Sequence, residues 1–237
     1  LFRLYFILIF FNSTFVLVQA QTQDRELIYR TFDKITGVEN LGLYDGPEFT
    51  DPYLNTNGTF RYLNGFDFVT GSVNYRNQFY VDVPLKYDVL EDNLITTSSG
   101  ALNIFNVKLI AEFVSEFVIN NHRFVRLNHI KNQGFIEEAF NGNNLKLYIK
   151  HEKFKRERAL KTGVQYSFKS QNSYFFEYGG NYTQVSSIRD LRKAFPGAGD
   201  SITDFHRIHK NIYKNNRDLF MIKLATYLDS LQLTEKS

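Results

Sequence analysis

Phe79, Val81, Val83, Leu85, Tyr87 and Val89 fall on every second residue, with Tyr80, Asp82, Pro84, Lys86 and Asp88 between them. Side chains of a strand alternate between faces, so this run predicts a strand with one apolar face and one mostly polar face. Pro84 cannot donate a ladder hydrogen bond, which places the strand at an edge or turns the missing N–H out of the ladder. Arg76-Asn77-Gln78 interrupts the alternation before the run and Glu91-Asp92-Asn93 after it. Asn and Asp tolerate turn geometry, so both breaks predict hairpins, with flanking strands at Phe68–Tyr75 and Leu94–Ser98.

The same alternation continues downstream. Ala101–Ala111 alternates loosely. Val114–Ile119 and His122–Leu127 flank Asn120-Asn121, and Phe135–Phe140 and Leu145–His151 flank Asn141-Gly142-Asn143. Val164–Lys169, Tyr174–Tyr178 and Tyr182–Val185 follow, the last two joined by Gly179-Gly180. About ten short strands with short connections force antiparallel neighbours: a curved sheet, a sandwich or an open barrel. At Ser186 the period changes. Ser187 with Asp190 matches a helix-opening pair, followed by Ile188, Leu191 and Phe195 at helical spacing until Pro196-Gly197. Ile202, Phe205, Ile208, His209 and Ile212 predict a second amphipathic helix. Asn216 caps a third, with Leu219, Ile222, Tyr227, Leu228 and Leu231 as its packing positions.

Fold class is therefore α+β, a mainly antiparallel β meander with a short C-terminal helical segment. Residues 1–20 have the layout of a secretory signal peptide: Arg3, the apolar run Leu4–Phe11 and the small-residue site Val18-Gln19-Ala20. Residues 21–64 form an irregular lead-in. Leu27, Ile28, Phe32 and Ile35 suit one side of a short helix, and the turn signals Asp45-Gly46-Pro47, Asp51-Pro52 and Asn57-Gly58 suit a segment draped over the sheet. Residues 65–185 form the β domain and 186–237 the C-terminal helices. No segment after the leader is apolar enough to predict a transmembrane helix.

Cysteine is absent. Export without disulfides points to a bacterial envelope, periplasm or outer-membrane surface, rather than a eukaryotic secretory route. The net charge of +3 hides an asymmetry: residues 21–116 hold 14 acidic and 7 basic side chains, residues 117–237 hold 11 acidic and 20 basic. Such poles suit internal complementarity or an interaction surface.

Leu43–Phe49 (LYDGPEF), the stretch GSVNYRNQFYVDVPLKYDVLEDNL from Gly71 to Leu94, and GGNYTQVSSIRDLRKAFP at Gly179–Pro196 together resemble a family of small exported proteins from Bacteroidetes-type bacteria. The resemblance covers most of the mature chain and rests on hairpin and turn patterns. It implies export to the envelope of such a bacterium, and carries no activity or catalytic residue.

Signatures of chemistry are sparse. His206 and His209 lie three apart on a helix, but two ligands without an acidic partner at zincin spacing do not make a metal site. His122, His129 and His151 sit on separate elements and converge only if folding brings them together. Asp88, Glu91, Asp92 and Asn93 lack the glycine and spacing of a calcium loop. Ser98-Ser99-Gly100 lacks the flanks of a nucleophile elbow, and no phosphate-binding loop occurs. No cofactor is expected. The richest basic run supplies the candidate site: Lys146, Lys150, Lys153, Lys155, Arg156 and Arg158, as one exposed surface for an anionic envelope component or an envelope protein. Nucleic acid does not fit an exported chain; the plain alternative is a solvated hairpin whose lysines discourage edge pairing. The function expected is binding or scaffolding without a reaction. The alternatives are a periplasmic hydrolase whose residues meet only in the fold, or a small outer-membrane barrel.

Overall fold

A computed structural model describes residues 42–53, 56–99, 104–127 and 134–231. The leader, the helix expected near Leu27–Ile35 and His129 lie outside the described residues.

The described residues form twelve strands: β1 Val69–Tyr75, β2 Gln78–Asp88, β3 Asn93–Ser99, β4 Ile104–Lys108, β5 Val114–Ile119, β6 His122–Arg126, β7 Phe135–Asn141, β8 Leu145–Lys150, β9 Lys153–Leu160, β10 Gly163–Ser170, β11 Ser173–Tyr178 and β12 Asn181–Val185. Ten form one antiparallel sheet in the order β12-β11-β8-β7-β6-β5-β1-β2-β3-β4, and β9 and β10 form a separate two-stranded ribbon. Among the described residues the sheet ends at β12 and β4 and does not close into a barrel. Short turns dictate most of the pairing, but β5 crosses back to pair with β1, and β11 pairs with β8 across the ribbon. Arg76-Asn77 (φ 53° and 62°) and Asn120-Asn121 (φ 50° and 64°) are left-handed two-residue turns, whose twist matches that of the strands they join.

The alternation predicted along β2 holds in its second half only. Gly71 pairs with Val83 but Val73 pairs with Tyr80, so Val81 and Asp82 together oppose Ser72. This is a β-bulge, with Asp82 in the left-handed region at φ 55°. Val83, Leu85 and Tyr87 face the core after it; before it Tyr80 is buried, while Phe79 and Val81 are only half-buried. Nor is β2 an edge strand. Pro84 lies just before the β2–β3 ladder begins at Leu85, and its carbonyl accepts from Thr96 Oγ1 at 2.9 Å.

Lys86 and Asp88, expected in solvent, are buried. The lead-in covers that face: Tyr62 bridges Asp88, Arg61 pairs with the Asp88 carboxylate, and Lys86 Nζ lies 4.2–4.7 Å from the rings of Phe68, Phe66 and Tyr62. Buried charges persist only when paired or hydrogen-bonded, or against a π face.

One face of the sheet carries both main apolar clusters. At the β1–β2–β5–β6 end, Tyr87, Phe117, Phe124 and Phe135 pack ring on ring, with Phe117 and Phe124 stacked at 4.7 Å. At the β8–β11–β12 end, Leu145, Leu147, Ile149, Tyr174, Phe176 and Val185 meet the C-terminal helices. These are α1 Ile188–Ala194, α2 Gly199–Ile208, α3 Lys210–Asn215 and α4 Arg217–Ser230. Ser187 caps α1 by accepting from Asp190 N, and Asn216 caps α4 by accepting from Leu219 N, as the sequence predicts. The second predicted helix breaks at His209 into α2 and α3. The packing stripe of α4 also differs from expectation: Phe220, Met221, Leu224, Ala225 and Leu228 are buried, whereas Leu219 and Leu231 are exposed. The buried residues form a helical stripe of their own, at i, i+1, i+4, i+5 and i+8 from Phe220, and it is this stripe that meets the sheet. Asp229 anchors α4 by accepting from the N–H groups of Asn143, Asn144 and Leu145 in the β7–β8 turn. At Gly142 a Cβ would meet the Asp229 carboxylate at 2.5 Å, so a side chain there would displace this anchor.

Candidate functional site

The basic run does not form one surface. Lys146 lies on β8, 3.5 Å from Glu177 on β11. Lys150 is 7% exposed; its Nζ donates to the Phe135 carbonyl at 2.9 Å and pairs with Asp92 at 3.1 Å. Lys153 donates to the carbonyls of Phe60 and Tyr62, which fastens the foot of the ribbon to the lead-in. Burial lowers its pKa, partly opposed by Asp88. The physical reason is topological: the run crosses from the sheet into the ribbon at His151-Glu152, and a strand buried on both faces cannot leave its lysines in solvent.

Within the ribbon, register sorts the remaining charges. Directly opposed residues share a face, so Lys153, Lys155, Glu157 and Ala159 stand with Ser170, Phe168, Tyr166 and Val164. That face packs on the lead-in: Tyr53 meets Tyr166 at 4.9 Å and Phe168 at 5.6 Å, and Lys155 lies over the Tyr53 ring and pairs with Glu157 at 2.9 Å. The other face holds Phe154, Arg156, Arg158 and Leu160, opposed by Lys169, Ser167, Gln165 and Gly163. Phe154, Arg156, Arg158, Leu160 and Lys169 are all exposed, the face carries no acidic side chain, and among the described residues no carboxylate pairs with its three cations. Of the six expected residues only Arg156 and Arg158 stand here. Lys169 joins them from outside the run, because it is opposite Phe154; continuing the two-residue period through 153–160 and pairing it across the Lys161-Thr162 turn would have placed it.

At the foot of the ribbon, where it leaves the sheet, lies a cleft of about 320 Å³ whose lining includes His122, His151, Glu152, Lys153, Asn172 and Asp218. Two histidines, His122 on β6 and His151 just past β8, thus converge, and the agent is Glu137. Ile119 opposes His122, Phe124 opposes Glu137 and Glu137 opposes Ile149, so these side chains share the clustered face of the sheet. The Glu137 carboxylate is buried. His122 Nδ1 lies 2.5 Å from Oε1 and His151 Nε2 lies 2.5 Å from Oε2. Burial works to raise the Glu137 pKa, but the hydrogen bonds from His151 and then His122 outweigh it and hold the carboxyl below its usual range. An ionised carboxylate only accepts, so both facing nitrogens carry hydrogen. Asp218 at the start of α4 accepts from Asn172 Nδ2 at 2.9 Å and Tyr174 OH at 2.7 Å, and Glu152 accepts from Ser173 Oγ at 3.3 Å.

The other candidates are structural. The His206 ring packs on Tyr213 at 4.8 Å, and His209 stacks on Phe205 at 4.1 Å. Among the described residues no group of three metal-ligating side chains converges. The acidic turn after β2 splits: Asp88 turns to Arg61, and Asp92 accepts from Tyr87 OH and pairs with Lys150.

Compared with family models, curated proteins and solved structures, the chain matches none. No helix among the described residues is long and apolar enough to cross a membrane.

Proposed function

We propose that the chain is an exported binding module of a bacterial envelope, docking on an anionic surface through the free face of the β9–β10 ribbon. The supporting observation is that Arg156, Arg158 and Lys169 stand exposed with Phe154 and Leu160 on a face without a carboxylate. Cations near an anionic lipid surface contribute roughly 1 kcal/mol each, and flanking apolar side chains add contact with the acyl boundary. Export is supported by Arg3, Leu4–Phe11 and Val18-Gln19-Ala20 together with the resemblance to exported Bacteroidetes-type proteins. The mature chain then begins at Gln21 in an intact-mass measurement of exported protein; a chain retaining Leu1–Ala20 would remove the envelope from the reading.

The docking experiment is sedimentation with phosphatidylglycerol and phosphatidylcholine vesicles. The wild type binds the anionic vesicles and releases between about 0.1 M and 1 M salt, as the Debye length shrinks from about 10 to about 3 Å. Arg156→Gln, Arg158→Gln and Lys169→Gln together lower the affinity about a hundredfold, at roughly 1 kcal/mol per charge. The thermal midpoint stays unchanged, because among the described residues these side chains make no hydrogen bond or ion pair. Equal binding to both lipids would refute the proposal.

A further inference from the structure

We propose that the cleft at the foot of the ribbon is a hydrolytic site for small carboxylic esters, with His122 Nε2 as general base and Glu137 as the residue that positions it. The inference stands on side-chain geometry and does not depend on whether the ribbon docks.

The His122 Nδ1–H is committed to Glu137 Oε1 at 2.5 Å. A neutral imidazole with hydrogen on Nδ1 has its lone pair on Nε2. The ring lines the cleft and is 47% exposed, so substrate and water can reach it. Glu137 cannot swing away, because its other oxygen is held by His151, a ring only 10% exposed. A proton taken up at Nε2 creates an imidazolium beside a buried, pinned carboxylate, where the attraction is stronger than in water. Anchoring the carboxylate alone would be served by buried partners. The second ring, half exposed, also presents an oriented base to the cleft.

The cleft, about 320 Å³, is at the small end of ligand sites. Leu63 and Val89 supply apolar walls, and Asn64 and Lys153 supply N–H donors on the same cleft. Two of the Lys153 hydrogens are used by backbone carbonyls, which leaves the third. The charged groups around the base are Glu137, His151, Glu152, Lys153 and Asp218. Ser170 also opens on the cleft, but no hydrogen bond joins its hydroxyl to His122, so the nucleophile is water. His122 Nε2 takes a proton from water as the water oxygen bonds to the ester carbonyl carbon, whose π electrons move to the carbonyl oxygen. When that tetrahedral species collapses, the carbon–alkoxy bond breaks and the leaving oxygen takes the proton from Nε2. Acid and alcohol depart and the base is restored. Flexible side-chain donors suit an ester, whose carbonyl is more electrophilic than that of an amide.

The probe is p-nitrophenyl acetate with the full exported chain. General-base assistance is typically worth about 10²–10⁴ in rate. His122→Gln is therefore expected to lose about a hundredfold in kcat/KM, and His122→Gly to regain turnover when imidazole is added. Glu137→Gln is expected to lower kcat with little change in KM, and His206→Gln, remote on α2, to retain the wild-type rate. Nitrogen-15 spectra of the wild type are expected to show His122 as the Nδ1–H tautomer, a reading independent of any variant's folding. An Nε2–H tautomer, or equal losses in His122→Gln and His206→Gln, would overturn the proposal.

Discussion

An Asp88→Ala variant loses about 3–5 kcal/mol of stability, the usual cost of orphaning one member of a buried ion pair. Asp88 is 0% exposed and its partner Arg61 4%. One Asp88 oxygen accepts from Arg61 Nη2, and the other accepts from the N–H groups of Leu90 at 3.1 Å and Glu91 at 3.4 Å. Removing the carboxylate leaves a guanidinium inside the protein with only Asp51 nearby, at 3.8 Å. Its Nε already lacks a partner among the described residues. Urea unfolding measures the loss as a lower midpoint at constant slope. Joint replacement, Asp88→Leu with Arg61→Met, recovers much of the deficit, because apolar side chains of similar volume avoid the desolvation of both charges. The two turn N–H bonds remain lost. A deficit under about 1 kcal/mol for Asp88→Ala would mean that water reaches the pair and that the lead-in does not seal this face.

Val83→Asp is the second large effect, at more than about 4 kcal/mol, because it places an ionised carboxylate without a partner beside the aromatic cluster. Val83 is 5% exposed and follows the bulge. Its neighbour gives the contrast. Asp82→Asn changes stability by no more than about 0.5 kcal/mol, since Asn accepts φ near +55° and the side chain is exposed. Asp82→Val costs about 1–2 kcal/mol, because a branched side chain fits the left-handed region poorly. Equal denaturant midpoints for Val83→Asp and Asp82→Asn would reverse the face assignment, and a neutral Asp82→Val would remove the bulge.

The bulge also marks where reading by period fails. Six alternating apolar residues from Phe79 to Val89 look like one face, but a single extra residue exchanges the faces, and nothing in Val81-Asp82-Val83 announces it. The helix α4 teaches the same point. Leu219 and Leu231 are apolar yet exposed, because a second periodic strip, Phe220, Met221, Leu224, Ala225 and Leu228, packs in one cluster with Leu145, Leu147 and Ile149. The caps were legible because they are local: Ser187 and Asn216 each satisfy N–H groups within three residues of themselves.

The candidate sites divide along the same line. Charge density along the chain located the basic run, but charge density says nothing of burial, and Lys150 and Lys153 prove to be internal hydrogen-bond donors. Only cross-strand register gathers Arg156, Arg158 and Lys169 with Phe154 and Leu160. For the cleft, neither His122, His151 nor Glu137 carries a motif; His122 opens β6 and His151 follows β8, so β7 and β8 separate them in sequence.

Sequence by itself determined the antiparallel sheet, the tight turns at Arg76-Asn77 and Asn120-Asn121, the change to helix at Ser186 and both caps. Each of these follows from interactions spanning a few residues: side-chain alternation, left-handed turn preferences and hydrogen bonds to the nearest free N–H. Tertiary structure alone decided which side of β2 is inside, why Lys86 and Asp88 are buried, and which charges stay free. It alone brought two histidines to one carboxylate. Those outcomes depend on strand order, a bulge and the path of the lead-in, where the contacts join residues far apart in the chain and leave no period to read.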